Sequence, residues 1–205
     1  MLAPSKSNVF GCLLIAGSAL CLNASASAGL VWDFANSNNY IDVTFGVEDP
    51  FVATGSAAMS AVSSSLGSDS VSVTAATPTG FSASMIQASG GGTLTTVGRF
   101  FSVSGSVDIA ISGISTSDVS WRIYDHANLD AFDNPTVVLQ IDVSSGAVYS
   151  ETLTLAAGQY GVELIGSADA DSTYSGTFGT FAIVPGPGAM ALVGIAGLAG
   201  RRRRA

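Results

Sequence analysis

The sequence predicts an all-β protein, an antiparallel β-sandwich or jelly roll, set between an N-terminal signal peptide and a short C-terminal transmembrane helix. Three observations predict the β body. Apolar and polar residues alternate with a period of two along several short stretches, as in Val107, Ile109 and Ile111 against Asp108, Ala110 and Ser112. Gly, Ser, Asn and Asp, the turn formers, fill the gaps between these stretches. No part of residues 29–183 sustains a helical period with caps. About ten short strands at such spacing make two facing sheets the natural architecture.

Residues 1–28 come first. Met1 and Lys6 give a weakly positive start, residues 9–22 form an apolar run broken only by small residues, and Ala24 to Ala28 offer two overlapping small-x-small sites. These are the three parts of a secretory signal peptide, with cleavage expected after Ala28 and Ala26 as the alternative. Cys21 follows Leu20, where a lipoprotein site needs a small residue, so the cysteine is not a lipidation site. Both cysteines, Cys12 and Cys21, fall in this segment. The exported body is therefore expected to hold no disulfide and to offer no thiolate to a metal or a substrate.

Residues 29–183 form the expected exported domain, long enough for one proper core. Strands are expected near residues 30–34, 40–47, 71–75, 93–103, 107–112, 119–124, 137–143, 152–155, 160–164 and 177–184. Residues 53–66 read as a poor, Ser-rich helix. The stretches 56–79 and 82–96, rich in Ser, Thr, Ala and Gly, read as weak strands or long loops that could carry O-linked sugar. Trp32, Phe34, Phe45, Phe100, Trp121, Tyr160 and Phe181 are the expected aromatic core.

Charge narrows the functional classes. All fifteen acidic residues lie between Asp33 and Asp171, and only Arg99 and Arg122 oppose them there, a formal charge of 2 − 15 = −13. Such a surface repels phosphate backbones, so no nucleic-acid partner is expected. Lys6 is the sole lysine, which excludes Lys–Asn isopeptide cross-links in the body.

Catalytic groups are scarce, and the expectation is that the protein is not an enzyme. His126 is the only histidine, no Gly-x-Ser-x-Gly elbow exposes a serine, and one histidine cannot build a multi-histidine zinc site. Glu48, Asp49, Glu151 and Glu163 could pair for glycoside hydrolysis, but any acidic protein offers such pairs. Calcium is the one cofactor the residues suggest. Asp125, Asn128, Asp130 and Asp133 form the densest oxygen-ligand stretch, and Asp169 and Asp171 stand two apart in a loop. Calcium takes six to eight oxygen ligands, which such loops supply, although neither stretch has EF-hand spacing. The ordinary reading of both is a solvated turn.

Residues 184–205 complete the chain. Val184, Pro185, Gly186 and Pro187 precede an apolar run from Gly188 to Gly200, and Arg201, Arg202, Arg203 and Arg204 follow as a stop-transfer cluster. The thirteen residues from Gly188 to Gly200 would span about 20 Å as a helix, short of the roughly 30 Å hydrocarbon core. Snorkelling arginines and local thinning can close the gap, and a weak anchor suits a temporary station. Four closing arginines do not fit a GPI signal, and the Leu-Pro-x-Thr-Gly motif of sortase substrates is absent.

These three parts, behind a signal peptide, resemble the PEP-CTERM sorting signal of Gram-negative and related bacteria, with Gly186 where the family has glutamate. The resemblance covers only about residues 183 to 205. It implies export through the secretory translocon and signal peptidase, transient membrane anchoring, and handling by an exosortase-type membrane peptidase. It further implies a final place at the cell surface or in an extracellular polysaccharide or biofilm matrix. Pro185, Gly186 and Pro187 would be recognised by that peptidase and catalyse nothing. The expected function is a secreted, non-enzymatic surface or matrix protein; the alternative is a calcium- or carbohydrate-binding module on the same scaffold.

Overall fold

A computed structural model describes residues 29–47, 50–88, 91–114, 118–129, 134–144 and 147–185. The expected signal peptide with Ala26 and Ala28, the sorting residues Gly186 and Pro187, the apolar run and Arg201 to Arg204 lie outside them, as do Asp130 and Asp133. Among the described residues no helix is long and apolar enough to cross a membrane.

Among the described residues thirteen strands build two antiparallel sheets. The seven-stranded sheet contains β1 (Leu30–Trp32), β2 (Tyr40–Phe45), β3 (Phe51–Thr54), β7 (Thr93–Val103), β9 (Asp118–Leu129), β10 (Pro135–Ser144) and β12 (Gly158–Ala168). Its order is β10-β9-β12-β7-β2-β3, with β1 also paired to β7. The six-stranded sheet contains β4 (Val62–Leu66), β5 (Asp69–Val73), β6 (Gly80–Gln87), β8 (Val107–Ile114), β11 (Val148–Leu155) and β13 (Tyr174–Val184), in the order β11-β8-β13-β6-β5-β4. From β6 onward the chain crosses between the sheets at every step except the β9–β10 pair, so that the set 6-13-8-11 faces the set 7-12-9-10.

The period-two pattern is what places the core. Val107, Ile109 and Ile111 of β8 are buried, as are Val119, Trp121 and Ile123 of β9, while their intervening neighbours are not. These inward sets meet in a single cluster drawn from both sheets. At its centre Trp32 lies 5.8 Å from Phe81 and 5.6 Å from Phe181, and Phe101 lies 5.6 Å from Phe181, so rings from one sheet key into rings of the other. Each such side chain contributes about 1.5–3 kcal/mol on burial, plus a smaller gain from ring geometry. The polar tips of both tryptophans are satisfied. The Trp121 indole N–H donates to the Tyr149 hydroxyl (2.6 Å), which donates to the Phe178 carbonyl (2.9 Å), and Trp32 donates to the Thr77 carbonyl (2.8 Å).

Several expectations need correction. The expected helix over residues 53–66 is broken into β3, a four-residue helix α1 (Ser56–Met59) and β4. Ala58 and Met59 of α1 are fully buried, so packing rather than helix propensity holds this turn. Of the two readings of the stretches 56–79 and 82–96, strands are what the structure holds: β4, β5, β6 and the start of β7, whose small residues alternate with buried Val71, Val73, Ala83 and Met85. Phe34 is 51% exposed rather than in the core, since β1 stops at Trp32 and Phe34 falls in the turn beyond it. Phe100 is only half-buried, because the even positions of β7 face outward. Trp32, Phe45, Trp121, Tyr160 and Phe181 are buried as expected.

A candidate ligand face on the seven-stranded sheet

The outer face of the seven-stranded sheet carries two glycines in neighbouring strands. Gly98 of β7 pairs with Glu163 of β12, and Gly161 of β12 pairs with Phe100 of β7. Each lets an aromatic ring lie on bare backbone. A Cβ on Gly98 would collide with the ring of Tyr40, whose residue is its partner on β2. A Cβ on Gly161 would come 2.9 Å from His126 Nε2 and 3.6 Å from the Phe100 ring. Glycine inside a strand costs stability, and close approach of another group is a standard reason for it.

Beside Gly98 a polar cluster fixes these rings. The Tyr40 hydroxyl donates to Glu163 Oε1 (2.7 Å) and the Tyr124 hydroxyl donates to Glu163 Oε2 (3.0 Å), while Arg122 Nη1 stands 3.6 Å from the same Oε2. Burial raises the pKa of Tyr40, and its bond to Glu163 raises it further; burial likewise raises Tyr124. Both phenols therefore stay protonated donors at neutral pH. One row along, Ser120 Oγ and Gln140 Nε2 each donate to Asp142 at 2.6 Å, and those two bonds, Ser120's first, hold its pKa below the usual carboxylate value. With both oxygens of Glu163 engaged, its carboxylate acts here as a strut rather than a free acid or base.

Towards one end of the same face lies an open depression of about 440 Å³. Phe100 and His126, with ring centroids 4.8 Å apart, form its floor; Asp33, Asn36 and Asn38 stand on one side and Gln159 on the other. The loop between β1 and β2 is held rigidly. Buried Asn39 donates to the carbonyls of Asp33 (2.7 Å) and Asn36 (2.9 Å) and accepts from the Phe100 N–H (2.9 Å). Asp33 Oδ1 takes the Ala35 N–H (3.2 Å) and Asn36 Oδ1 the Asn38 N–H (3.0 Å), the side-chain-to-backbone bonds typical of such turns. Burial lowers the pKa of His126, with Asp125 opposing, so the imidazole is neutral at pH 7.

The residues singled out for calcium are placed as follows. β9 bulges where Leu129 pairs with Pro135 and Asp125 with Thr136, leaving residues 126–128 unopposed. Within the bulge Asp125 Oδ1 accepts the Ala127 N–H (2.9 Å) and Oδ2 accepts Asn128 Nδ2 (2.6 Å), so these two candidate ligands bond each other. Asp169 and Asp171 lie exposed in the turn after β12. The Asp169 carbonyl accepts from Gln87 Nε2 (2.5 Å), the Ser172 N–H (3.0 Å) and Ser172 Oγ (2.8 Å). Asp125 pairs with Tyr160 near one end of β12 and Asp169 follows Ala168 at the other. At the rise of a strand that separates them by about 27 Å. Among the described residues no group of three His, Cys, Asp or Glu side chains is placed to share a metal ion. Glu151 and Glu163 stand on different sheets. Val184 closes β13 and Pro185 is exposed beyond it.

Sequence reasoning did not single out Tyr40, Gln159 or the loop residues Asp33, Asn36 and Asn38 as a site. The available signal was a glycine inside a strand pattern beside outward-facing aromatics. No family model matches the chain, and no curated protein does. Two solved structures show a distant likeness. One is the K3 cleaved adhesin domain of Lys-gingipain from Porphyromonas gingivalis w83, at 10% identity and a TM-score of 0.27, covering 56% of this chain and 69% of that one. The other is the enzymatically active domain of tailspike protein 4 of bacteriophage CBA120, at 12% identity and a TM-score of 0.30. It covers 74% of this chain, which spans only 20% of the tailspike domain. The class defined by the fold is an all-β protein of two packed antiparallel sheets.

Proposed function

We propose that this chain is an exported, non-enzymatic protein of the cell surface or extracellular matrix, delivered through its PEP-CTERM-like C-terminal segment. The single observation that carries the reading is the address itself, Val184-Pro185-Gly186-Pro187, the apolar run and four arginines, joined to a two-sheet body behind a signal peptide. The back-and-forth winding of β6 to β13 supports the jelly-roll form of that body. The exosortase-type peptidase is the partner that releases it. Mass spectrometry of the native exported protein tests this. A mature form starting at Gly29 and ending close to Pro185–Pro187 is the expected result; a form retaining Arg204, or an unchanged location after deletion of residues 184–205, removes it.

A second reading, a ligand-binding module on the same scaffold, is favoured by the preorganised depression floored by Phe100 and His126. Its calcium form draws less support, since Asp125 and Asn128 already satisfy each other. A melting temperature unmoved by millimolar calcium would dismiss that form.

A further inference from the structure

We infer that the depression at the end of the seven-stranded sheet is a subsite for a neutral pyranose unit of a glycan chain, stacked on Phe100 and His126 and hydrogen-bonded by the Asn38 and Gln159 amides. This deepens the binding form of the proposed function and rests on it. A pyranose ring has an apolar C–H face and a rim of hydroxyls that each donate and accept. It is matched by an aromatic face for the first and planar amides, which offer a donor and an acceptor side by side, for the second. Both are present. Phe100 and His126 are half-buried beside Gly161, and both line the depression. The side chains of Asn38 and Gln159 are exposed and make no hydrogen bond among the described residues, so their donors and acceptors are free for a ligand.

Three further observations narrow the ligand. The 440 Å³ space lies within the range of about 300–1,000 Å³ typical of small-molecule sites, and its openness to solvent leaves room for a chain to run on in either direction. The wall is preorganised by Asn39, so little ordering entropy opposes binding. Charge selects neutral sugars. Among the described residues Asp33 is the only charged side chain lining the depression and no Lys or Arg does, and the body carries a formal −13, so uronate or sulfated glycans are repelled.

The test is calorimetric titration of the full-length protein with neutral hexasaccharides of gluco, manno, galacto and xylo configuration, and with hexagalacturonate as the acidic comparison. Saturable heat from at least one neutral member and none from hexagalacturonate is expected. Gln159→Ala, an exposed change that leaves the melting temperature alone, should weaken binding several-fold, and Phe100→Leu by about tenfold or more. If Phe100→Leu proves poorly folded, Asn38→Ala takes its place with the same several-fold loss expected. No heat from any neutral hexasaccharide, stronger binding of hexagalacturonate, or affinity untouched by the variants overturns the inference. Failure of the export reading is separate, because it shows as an unprocessed or unexported chain whatever the titration gives.

Discussion

The two faces of the seven-stranded sheet each hold one of the body's two arginines, and they treat it in opposite ways. On the inner face Arg99 of β7 is fully buried and, among the described residues, pairs with no acid. Its Nε and Nη2 donate to the carbonyl of Ala58 (3.0 and 2.8 Å), Nη2 also reaches the carbonyl of Thr74 (3.0 Å), and the guanidinium lies 4.5 Å over the Phe81 ring. On the outer face Arg122 of β9 is partly exposed, 3.6 Å from Glu163 in a cluster with two tyrosines. Burial pushes the Arg99 pKa down to about 10, yet it stays charged at neutral pH. The inner arginine is thus a rivet, holding α1 and the chain after β5 against the seven-stranded sheet. The outer one tunes a surface. Buried and exposed positive charge in this protein are divided between the faces of one sheet.

Arg99→Ala gives the largest effect expected from this division. It opens a cavity and leaves the buried Ala58 carbonyl without a donor, for a loss of about 3–5 kcal/mol in denaturant unfolding. Arg99→Lys keeps the charge but not the fork, and should recover only part of the loss. A loss below about 1 kcal/mol would put Arg99 on the same footing as Arg122 and erase the contrast.

Tyr149 is the next test of the inner face. Tyr149→Phe strands both the Trp121 N–H and the Phe178 carbonyl, at a cost of about 1–3 kcal/mol. Burial pushes the Tyr149 pKa up to about 12 from 10.0. For an acid raised on folding, the native state binds more protons between those values. Its stabilising share is therefore complete below pH 10 and lost as pH rises through 12. Unfolding curves measured across that interval should fall for the native protein, and Tyr149→Phe should lack that component.

The inner face was largely legible in the sequence and the outer face was not. Val119, Trp121 and Ile123 announce their burial by alternation alone, because one sheet face in an antiparallel sandwich must be apolar. The same rule treats every outward residue as equivalent, so Tyr40 and Tyr124 did not separate from solvent-facing serines and threonines. Phe100 was expected in the core because aromatics usually are; the phase of β7 puts it outside, beside the His126 ring for which Gly161 opposite makes space. Arg99 was read only as charge. Its inward phase follows from Val97 and Phe101 on either side, but its partners, the carbonyls of Ala58 and Thr74, come from segments far along the chain whose approach no local pattern encodes.

Smaller effects are expected outside. Arg122→Ala should cost less than about 1 kcal/mol, as exposed ion pairs usually do, and raised salt should narrow the difference further. A loss as large as that of Arg99→Ala would mean that the outer cluster is a second structural centre rather than a surface device.

His126 provides the finest distinction. Burial against Phe100 and Gly161 lowers its pKa below 6.5, with Asp125 pulling the other way. For a base depressed on folding, the unfolded chain takes up a proton first as pH falls. Stability from this residue is complete above pH 6.5 and is lost as pH drops through the native pKa. His126→Gln should therefore flatten the slope of unfolding free energy against pH below 6.5 and change little at pH 8. Binding of a neutral glycan, if the imidazole serves as a stacking face, should weaken over the same acidic interval in the native protein, since a protonated ring replaces a neutral one. In His126→Gln that pH dependence should vanish together with part of the affinity. A histidine that merely fills space would show the stability slope without the binding slope, and comparing the two curves separates a floor of the site from a plug in the sheet.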